Sequence, residues 1–428
     1  MFRTIRHAAC LVCLSAAAAT SLTAQLRLRF DSVATTVVYS PSLGLEIRSP
    51  DARHAFRIRS WMHADYKGTM DDPSNTAISS LTLRRARLIL DAQIVPGLIV
   101  RLSPDFGTRT VQLEDAFADI SVSRSTWLRA GRHRVPFGAE RERLITEQVL
   151  PERSLGSQLT GNRDVGVTVN AEYRGGRIGY VVGVMNGVPD GGSASVDAND
   201  AKDVVVRLSV MPRLRLVRGA QQGVRLTAGM MRGVETGTAT DVQLPTYSTS
   251  SGVPFFRYAA ADVGGAAVIA DGRRTRLGAA LSVHEGRFGL LSEALRVQQR
   301  VRRDAATADV RTEAWSASAM LSLTGEPSAA NGLTPARAFD ASRRAWGAVQ
   351  AVVRASRVTA DRGAFPLFAP AATSSRQATA WGAGVNWFLT RVTKVQIAYE
   401  VTTFDGGAAA NADRPTDHTL WVRSQLMF

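Results

Sequence analysis

Beyond residue 24 the 428-residue chain has no cysteine; its two cysteines, Cys10 and Cys13, both lie in the opening segment. Disulfide frameworks, thiolate metal sites and cysteine nucleophiles are therefore excluded from the rest of the chain. Long apolar runs are missing as well, and the mean hydropathy is −0.05. Helical membrane spans are excluded on that ground. An antiparallel barrel escapes the test, because lipid-facing and lumen-facing residues alternate and their hydropathies cancel. Histidine is scarce: beyond residue 24 there are only His54, His63, His133, His284 and His418. None stands at a motif spacing from a nucleophile and there is no GxSxG, so a barrel lipase or protease lacks its base. His63 and Asp65 share a strand face, and such an isolated pair reads as structural. No metal-ligand spacing, phosphate-cradling glycine loop or nucleotide signature occurs, so no metal and no cofactor are expected.

What the chain does have begins with an export pattern. Arg3 and Arg6 precede an apolar core from Ala8 to Ala19, and cleavage after Ala24 is plausible. Residues 1–24 therefore read as a signal peptide. The whole chain carries 52 basic against 37 acidic residues, and lysine supplies only Lys67, Lys202 and Lys394. Removing Arg3 and Arg6 leaves 50 against 37, a net +13. Arginine stays charged at every relevant pH and grips oxyanions with a planar fork of donors. In a soluble protein this surplus would point to nucleic acid. An exported chain rarely meets nucleic acid, so small anions or lipopolysaccharide are the better partners.

Alternation of apolar and polar residues recurs in segments of about 10–14 residues, close to what a tilted membrane strand needs. The pattern predicts strands near 55–66, 80–95, 98–106, 113–122, 126–135, 163–173, 177–187, 204–211, 223–233, 273–284, 287–300, 311–324, 344–358, 376–389, 393–404 and 417–428. The fold class is an all-β transmembrane antiparallel barrel of about sixteen strands with both termini periplasmic. Residues 25–54 form a periplasmic lead, with a possible short strand at 43–48, and 55–428 form the barrel. Connections should alternate long outside and short inside. Segments 212–222 and 325–343 break that rule. The stretch 234–272, rich in Gly, Ser, Thr and Ala, reads as a mobile external loop. Val165, Val167 and Val169 share a lipid face, as do Val204, Val206 and Leu208. Trp127, Tyr173, Trp346, Trp387 and Trp421 suit interfacial girdles.

The same alternation sends Arg85, Arg87, Arg101, Arg207, Arg225, Arg276, Arg354 and Arg423 to the lumen, with Asp91, Asp105, Asp119 and Glu172. A wall rich in arginine concentrates anions and repels cations in a narrow channel. The alternative is that each arginine pairs with a lumen carboxylate. The segment Pro136 to Asp164 is too long for a turn and carries Arg141, Arg143, Arg153 and Arg163. Folded inward, it would narrow the pore; its glutamates Glu140, Glu142, Glu147 and Glu152 could instead neutralise it as a plug.

The chain closes on LWVRSQLMF, with Leu420, Val422, Leu426 and Phe428 on one strand face. A last strand ending in Phe is the assembly signal that outer-membrane barrels present to their insertion machinery. The chain resembles the phosphate-selective porins of the O and P type. The matching pieces are LRRARL (83–88), LEDAFADI (113–120), AGRHRVPFGAE (130–140), PERSL (151–155), NRDVGV (162–167), GVMNG (183–187), LSLTGE (321–326), WGAVQAVVRASRV (346–358), AWGAGVNWFLT (380–390) and RSQLMF (423–428). Their order and spacing make the match more specific than any one alone. The resemblance implies a sixteen-stranded, trimeric channel of the outer membrane that passes phosphate or polyphosphate. It also implies an inward third external loop, which carries Arg141, Arg143, Arg153 and Arg163 over as constriction residues. The near-absence of lysine departs from the family, whose best phosphate channels combine lysine with arginine. A general, weakly selective anion porin therefore stands beside the phosphate channel, and a non-conducting structural barrel or a barrel enzyme is less favoured.

Overall fold

The computed structural model of the chain describes residues 25–30, 33–40, 44–70, 79–107, 110–197, 199–212, 223–262 and 264–428. The export segment 1–24 and most of 212–222 lie outside the described residues. Sixteen strands form the wall. They are β4 (Ala55–Met70), β5 (Ser80–Val95), β6 (Leu98–Asp105), β7 (Gln112–Ser121), β8 (Thr126–Arg134), β9 (Arg163–Tyr173), β10 (Ile178–Met185), β11 (Asp203–Val210) and β12 (Val224–Thr236), then β15 (Ile269–Glu285), β16 (Phe288–Arg303), β17 (Ala306–Ser322), β18 (Ala348–Ala360), β19 (Ser375–Phe388), β20 (Thr393–Gly406) and β21 (Asp417–Met427). Every predicted strand is present, with ends shifted by a few residues. Each pairs antiparallel with the next, and β21 pairs with β4, so the sheet closes on itself. Closure leaves no edge among the sixteen, which a membrane requires because lipid cannot satisfy free backbone groups. Three shorter strands, β1 (Gln25–Phe30), β2 (Val33–Ser40) and β3 (Gly44–Arg48), hang from β4 as an antiparallel ribbon.

One end of the barrel carries short connections such as 96–97 and 286–287, and the other carries long ones such as 135–162 and 186–202. These are the turn end and the loop end below. The wall is uneven: β6, β10 and β11 have 8 residues, while β15 and β17 have 17. About 9–11 residues cross a bilayer, so the long strands project well past it.

The outward face is apolar along much of the wall, with Val167, Val169, Val204, Val206, Leu208 and Leu277 all exposed. Tyr173, Trp346 and Trp387 sit near the turn end. Tyr173 stacks on Tyr180 with centroids 6.1 Å apart, and Phe339 lies edge-on to Trp387 at 5.4 Å. Two of the aromatic expectations need correction. Trp421 is only 7 % exposed and packs inside against Leu150 and Val352. Trp127 lines a lumen cavity with Glu172 and Arg225. Each stands two residues from an inward-facing arginine (Arg423, Arg129) and so shares its face of the strand.

The interior also holds more apolar surface than a single lipid-facing alternation allows. Leu295, Val297, Val301, Val310, Ala314 and Val358 are buried on the inner wall, beneath Leu155 and Leu159 of loop 135–162. The segment 237–268 is not a mobile external loop. It folds into a hairpin, β13 (Thr246–Ser248) and β14 (Pro254–Arg257), whose Tyr247, Phe255 and Phe256 are each 1 % exposed. Its polar composition hid these three aromatics, and they supply the packing.

Barrel closure ends at the last residue. Ser60 N–H donates to the Phe428 carbonyl at 2.8 Å and Phe428 N–H donates to the Ser60 carbonyl at 3.0 Å. Deleting Phe428 removes both bonds and the terminal aromatic together. The expected outcome is normal export with a large loss of heat-modifiable barrel in the outer-membrane fraction; undiminished barrel would count against any assembly role.

Candidate functional site

Loop 135–162 touches β5, β12 and β15–β21, which only a segment lying in the lumen can reach at once. Phe137 anchors its start. The ring lies against Gly229 and Gly278, where an added Cβ would come within 3.3 Å and 3.2 Å of it. A one-turn helix, Ala139–Glu142, follows, and Glu293 accepts from its first amides. From Thr146 to Glu152 the backbone carbonyls receive donors from the wall. Lys394 Nζ donates to Thr146 O at 3.0 Å, Asn386 Nδ2 to Val149 O at 2.9 Å and Arg354 Nη1 to Glu152 O at 2.7 Å. Gln396 and Arg423 serve Gln148 O and Pro151 O. A loop so bonded has few free carbonyls, as buried backbone requires.

Arg276, Arg354 and Arg423 do face inward, but as struts rather than as free cations. Arg423 forks onto Asp65 at 2.8 and 2.6 Å and also meets Glu152 at 2.9 Å. Arg354 meets Glu400 at 2.7 Å. Arg276 is fully buried against Asp190 and the Val188 carbonyl, which pins the loop 186–202. His63 and Asp65 are likewise engaged: His63 is buried against Gln425 at 3.1 Å, and Asp65 is held by Arg423.

The remaining arginines line four cavities around the loop. The most polar has a volume of about 340 Å³ and lies toward the loop end. Its lining includes seven arginines (Arg84, Arg85, Arg87, Arg134, Arg141, Arg153 and Arg163) and only two carboxylates, Glu114 and Glu152. Arg84 was missed by strict alternation. A bulge opposite His63 and Ala64 inserts it as an extra residue beside Arg85, so two consecutive arginines reach the same cavity.

Some of these guanidiniums are spent. Arg87 pairs with Asp105 at 2.8 Å and Glu114 at 2.5 Å. Arg163 pairs with Glu114 at 2.8 Å and Asp115 at 3.0 Å. Others bond only neutral oxygen. Arg141 donates to Thr160 Oγ1 at 3.1 Å and Ser157 O at 2.6 Å, and Arg134 donates to Arg143 O at 2.9 Å. Three donors of this cavity are buried with no partner among the described residues: Arg85 Nη1, Arg153 Nε and Arg163 Nη2. Burial pushes the loop guanidiniums down, Arg141 to about 10 and Arg153 to about 9, which leaves both cationic at neutral pH. Burial also raises Glu152, but Arg84, Arg423 and Arg85 outweigh it and hold this carboxyl below its usual range.

A track leads from this cavity to the turn end. Arg134 also lines a second cavity, with Arg101 and Arg129. Arg207 lines that one and a third, where Arg225 and Arg143 stand. The last two also line a fourth, with Glu140 and Glu293. Arg101 is held by Asp91 at 2.6 Å, Arg129 by Asp119 at 2.7 Å, and Arg207 by Glu142. Among the described residues Arg225 has a polar contact with Met211 Sδ alone, at 2.8 Å. Of the twelve arginines that the sequence sends to the lumen or the inward loop, the nine other than Arg276, Arg354 and Arg423 thus line lumen cavities, and their partners divide them.

The long turn-end segment 323–347 accounts for one break in the length rule. It turns up into the lumen, where Ser328 Oγ meets His284 Nδ1 at 3.0 Å and Ala330 O accepts from Arg143 at 2.5 Å. Leu333 is buried against Ala348 and Phe388. Deleting 328–334 is expected to raise single-channel conductance, since it unblocks the turn-end mouth and removes one acceptor of Arg143, which keeps Glu147 O; unaltered conductance would place the segment outside the conducting path.

A family model described as phosphate-selective porin O and P matches residues 56–428. No curated relative matches the chain. Among solved structures, the outer membrane channel DcaP of Acinetobacter baumannii is similar at 11% identity, covering 89% of this chain and 99% of that one, with a TM-score of 0.57. Outer-membrane expressed OmpT of Vibrio cholerae is similar at 9% identity, over 88% and 98%, with a TM-score of 0.52. OmpF of Salmonella typhi, in complex with daunomycin, gives 12% identity over 88% and 98%, with a TM-score of 0.52.

Proposed function

We propose, from the premise that this chain belongs to the phosphate-selective porin O and P family and is an outer-membrane channel for passive diffusion, that it conducts anions in preference to cations and binds phosphate on the way. The observation that carries this reading is the set of three partnerless guanidinium donors, Arg85 Nη1, Arg153 Nε and Arg163 Nη2, around one cavity. Buried donors are nearly always satisfied. A tetrahedral oxyanion offers acceptors in several directions, which chloride cannot match with the same geometry. Phosphate and polyphosphate are thus favoured over a simple halide. Onward movement needs sites weak enough to release the ion. Arg134, Arg207 and Arg225, each shared by two neighbouring cavities, supply successive positions.

The pairing of Arg101, Arg129 and Arg207 with carboxylates favours the second reading, a general anion porin with modest discrimination. Planar-bilayer recordings separate the two. Refolded protein in a chloride gradient should give an anion-selective reversal potential, and added phosphate or pyrophosphate should block chloride current saturably. Anion selectivity without block leaves the general porin; a cation-selective potential removes both.

The remaining parts of the reading are expectations. The chain is exported on residues 1–24, residues 25–54 and both termini lie in the periplasm, and Phe428 serves the insertion machinery. A homotrimer is expected too; OmpT of Vibrio cholerae has been solved in a trimer form. The family and the paired state of His63 and Asp65 favour a channel over an enzyme.

A further inference from the structure

Near the loop end of β16 and β17 the wall inverts its alternation: Leu295, Val297, Val301, Val310 and Ala314 face inward, and the outer face is charged. Registered pairs define horizontal rows across four strands. One row is Ala228, Ala279, Ala294 and Trp315. The row above it is Met230, Leu277, Arg296 and Glu313. Higher still stand Arg232, Arg273, Arg300 and Arg311, all exposed. Below the alanines the face is lipid-like, with Leu226, Leu290 and Phe288 exposed.

The three alanines leave a groove of about 730 Å³ on the outside of the barrel, edged by Leu277, Trp315, Arg296 and Arg357. Counting about 9–11 residues from Phe288 at the turn end reaches Arg296 to Gln298. The charged rows therefore begin where the hydrocarbon ends. Carboxylates are fewer than arginines there: Asp309 stands opposite Arg300 in register, and Glu313 opposite Arg296. Arg296 meets Glu313 at 2.8 Å while 54 % exposed, Arg311 reaches the same carboxylate at 4.0 Å, and neither Arg232 nor Arg273 has an ion pair among the described residues.

We propose that this patch binds a phosphate-bearing lipid of the leaflet at the loop end. Its headgroup phosphates would lie on Arg273, Arg296, Arg300 and Arg311, and one acyl chain would fill the alanine groove. Charge complementarity selects this occupant. An excess of arginine at headgroup height calls for phosphate, and an apolar groove directly beneath it calls for a chain joined to that phosphate. The site faces away from the lumen and is independent of what the pore conducts.

The test is native mass spectrometry of the refolded full chain, titrated with bis-phosphorylated lipid A and with the same lipid stripped of its phosphates. Arg273→Gln/Arg296→Gln/Arg311→Gln should weaken binding of the phosphorylated lipid by about tenfold or more, from the attraction of surface arginines to anionic headgroups. Ala279→Leu/Ala294→Leu fills the groove without touching charge, should weaken it as well, and serves alone if the arginine variant fails to fold. Channel conductance should stay at the parent value in both. Equal affinity for the two lipids, parent-like affinity in the variants, or a change of subunit number in the arginine variant (a second copy covering the patch) would each overturn the proposal.

Discussion

Replacing Arg85 and Arg153 together with glutamine is expected to abolish phosphate block of chloride current in the accessible range. Each residue carries a buried guanidinium N–H with no partner among the described residues, and neither forms an ion pair, although Glu152 acts on both at longer range and Glu140 on Arg153. A hydrogen bond to a charged group contributes about 1.5 kcal/mol at the lower end. Losing two of them weakens the site by roughly a hundredfold, at about 1.4 kcal/mol per decade. The reversal potential in a chloride gradient should move toward the cation side as well. Arg101→Gln provides the contrast. Its guanidinium already forks onto Asp91 at 2.6 and 3.1 Å, and it stands outside the seven-arginine cavity. That variant should shift the block constant far less. If Arg101→Gln matched the double variant, selectivity would come from the overall field of the lumen and not from one cavity.

Arg423→Ala is expected to be the most damaging single change to the scaffold. The guanidinium is fully buried and serves Asp65, Glu152 and the Pro151 carbonyl at once. Removing one partner of a buried ion pair costs about 3–5 kcal/mol, because the other charge is left uncompensated. The effect should appear as a lower temperature for the heat-induced gel shift of the refolded barrel. Loop 135–162 loses its Arg423 tie to β21 in the same variant and keeps only the Gln425 bond and the Trp421 contact there, so open-channel noise should rise. Adding Asp65→Ala to Arg423→Ala removes the stranded carboxylate and should restore part of the melting temperature. A double variant as unstable as the single one would mean that the tie to the loop, not the stranded charge, sets the cost.

The strand pattern was legible because membrane strands obey a period of two and because lipid tolerates only one face. Val167 and Val169, or Val204 and Val206, declare their side without reference to any neighbour. The arginine content of the lumen followed from the same period. What could not be read was the partner of each arginine. Arg87 and Arg85 are two residues apart with the same expected side. One is locked between Asp105 and Glu114, while the other keeps a free donor. Arg84 escaped the pattern because a bulge breaks the period of two at that point. Trp127 and Trp421 were misplaced because an aromatic beside a strand end looks the same whichever face it takes.

The chain's own residues therefore determined the sixteen-stranded closed wall, the lack of a thiol beyond residue 24, and an arginine-lined lumen. These depend on local alternation and on composition, which any stretch of ten residues displays. Tertiary structure alone decided which segments enter the lumen and which guanidiniums stay free. Loops 135–162 and 237–268 go inside because the inner wall of β16–β19 presents Leu295, Val297, Val310, Val358 and Ala380 to them, while the turn-end segment 323–347 is held by His284, Ala348 and Phe388. A lone Phe137 or Tyr247 gives no sign of that until the opposite wall is in place. Ion pairing is a contact between strands far apart in sequence, such as Asp65 with Arg423, and closure of the barrel is what brings them within 2.6 Å.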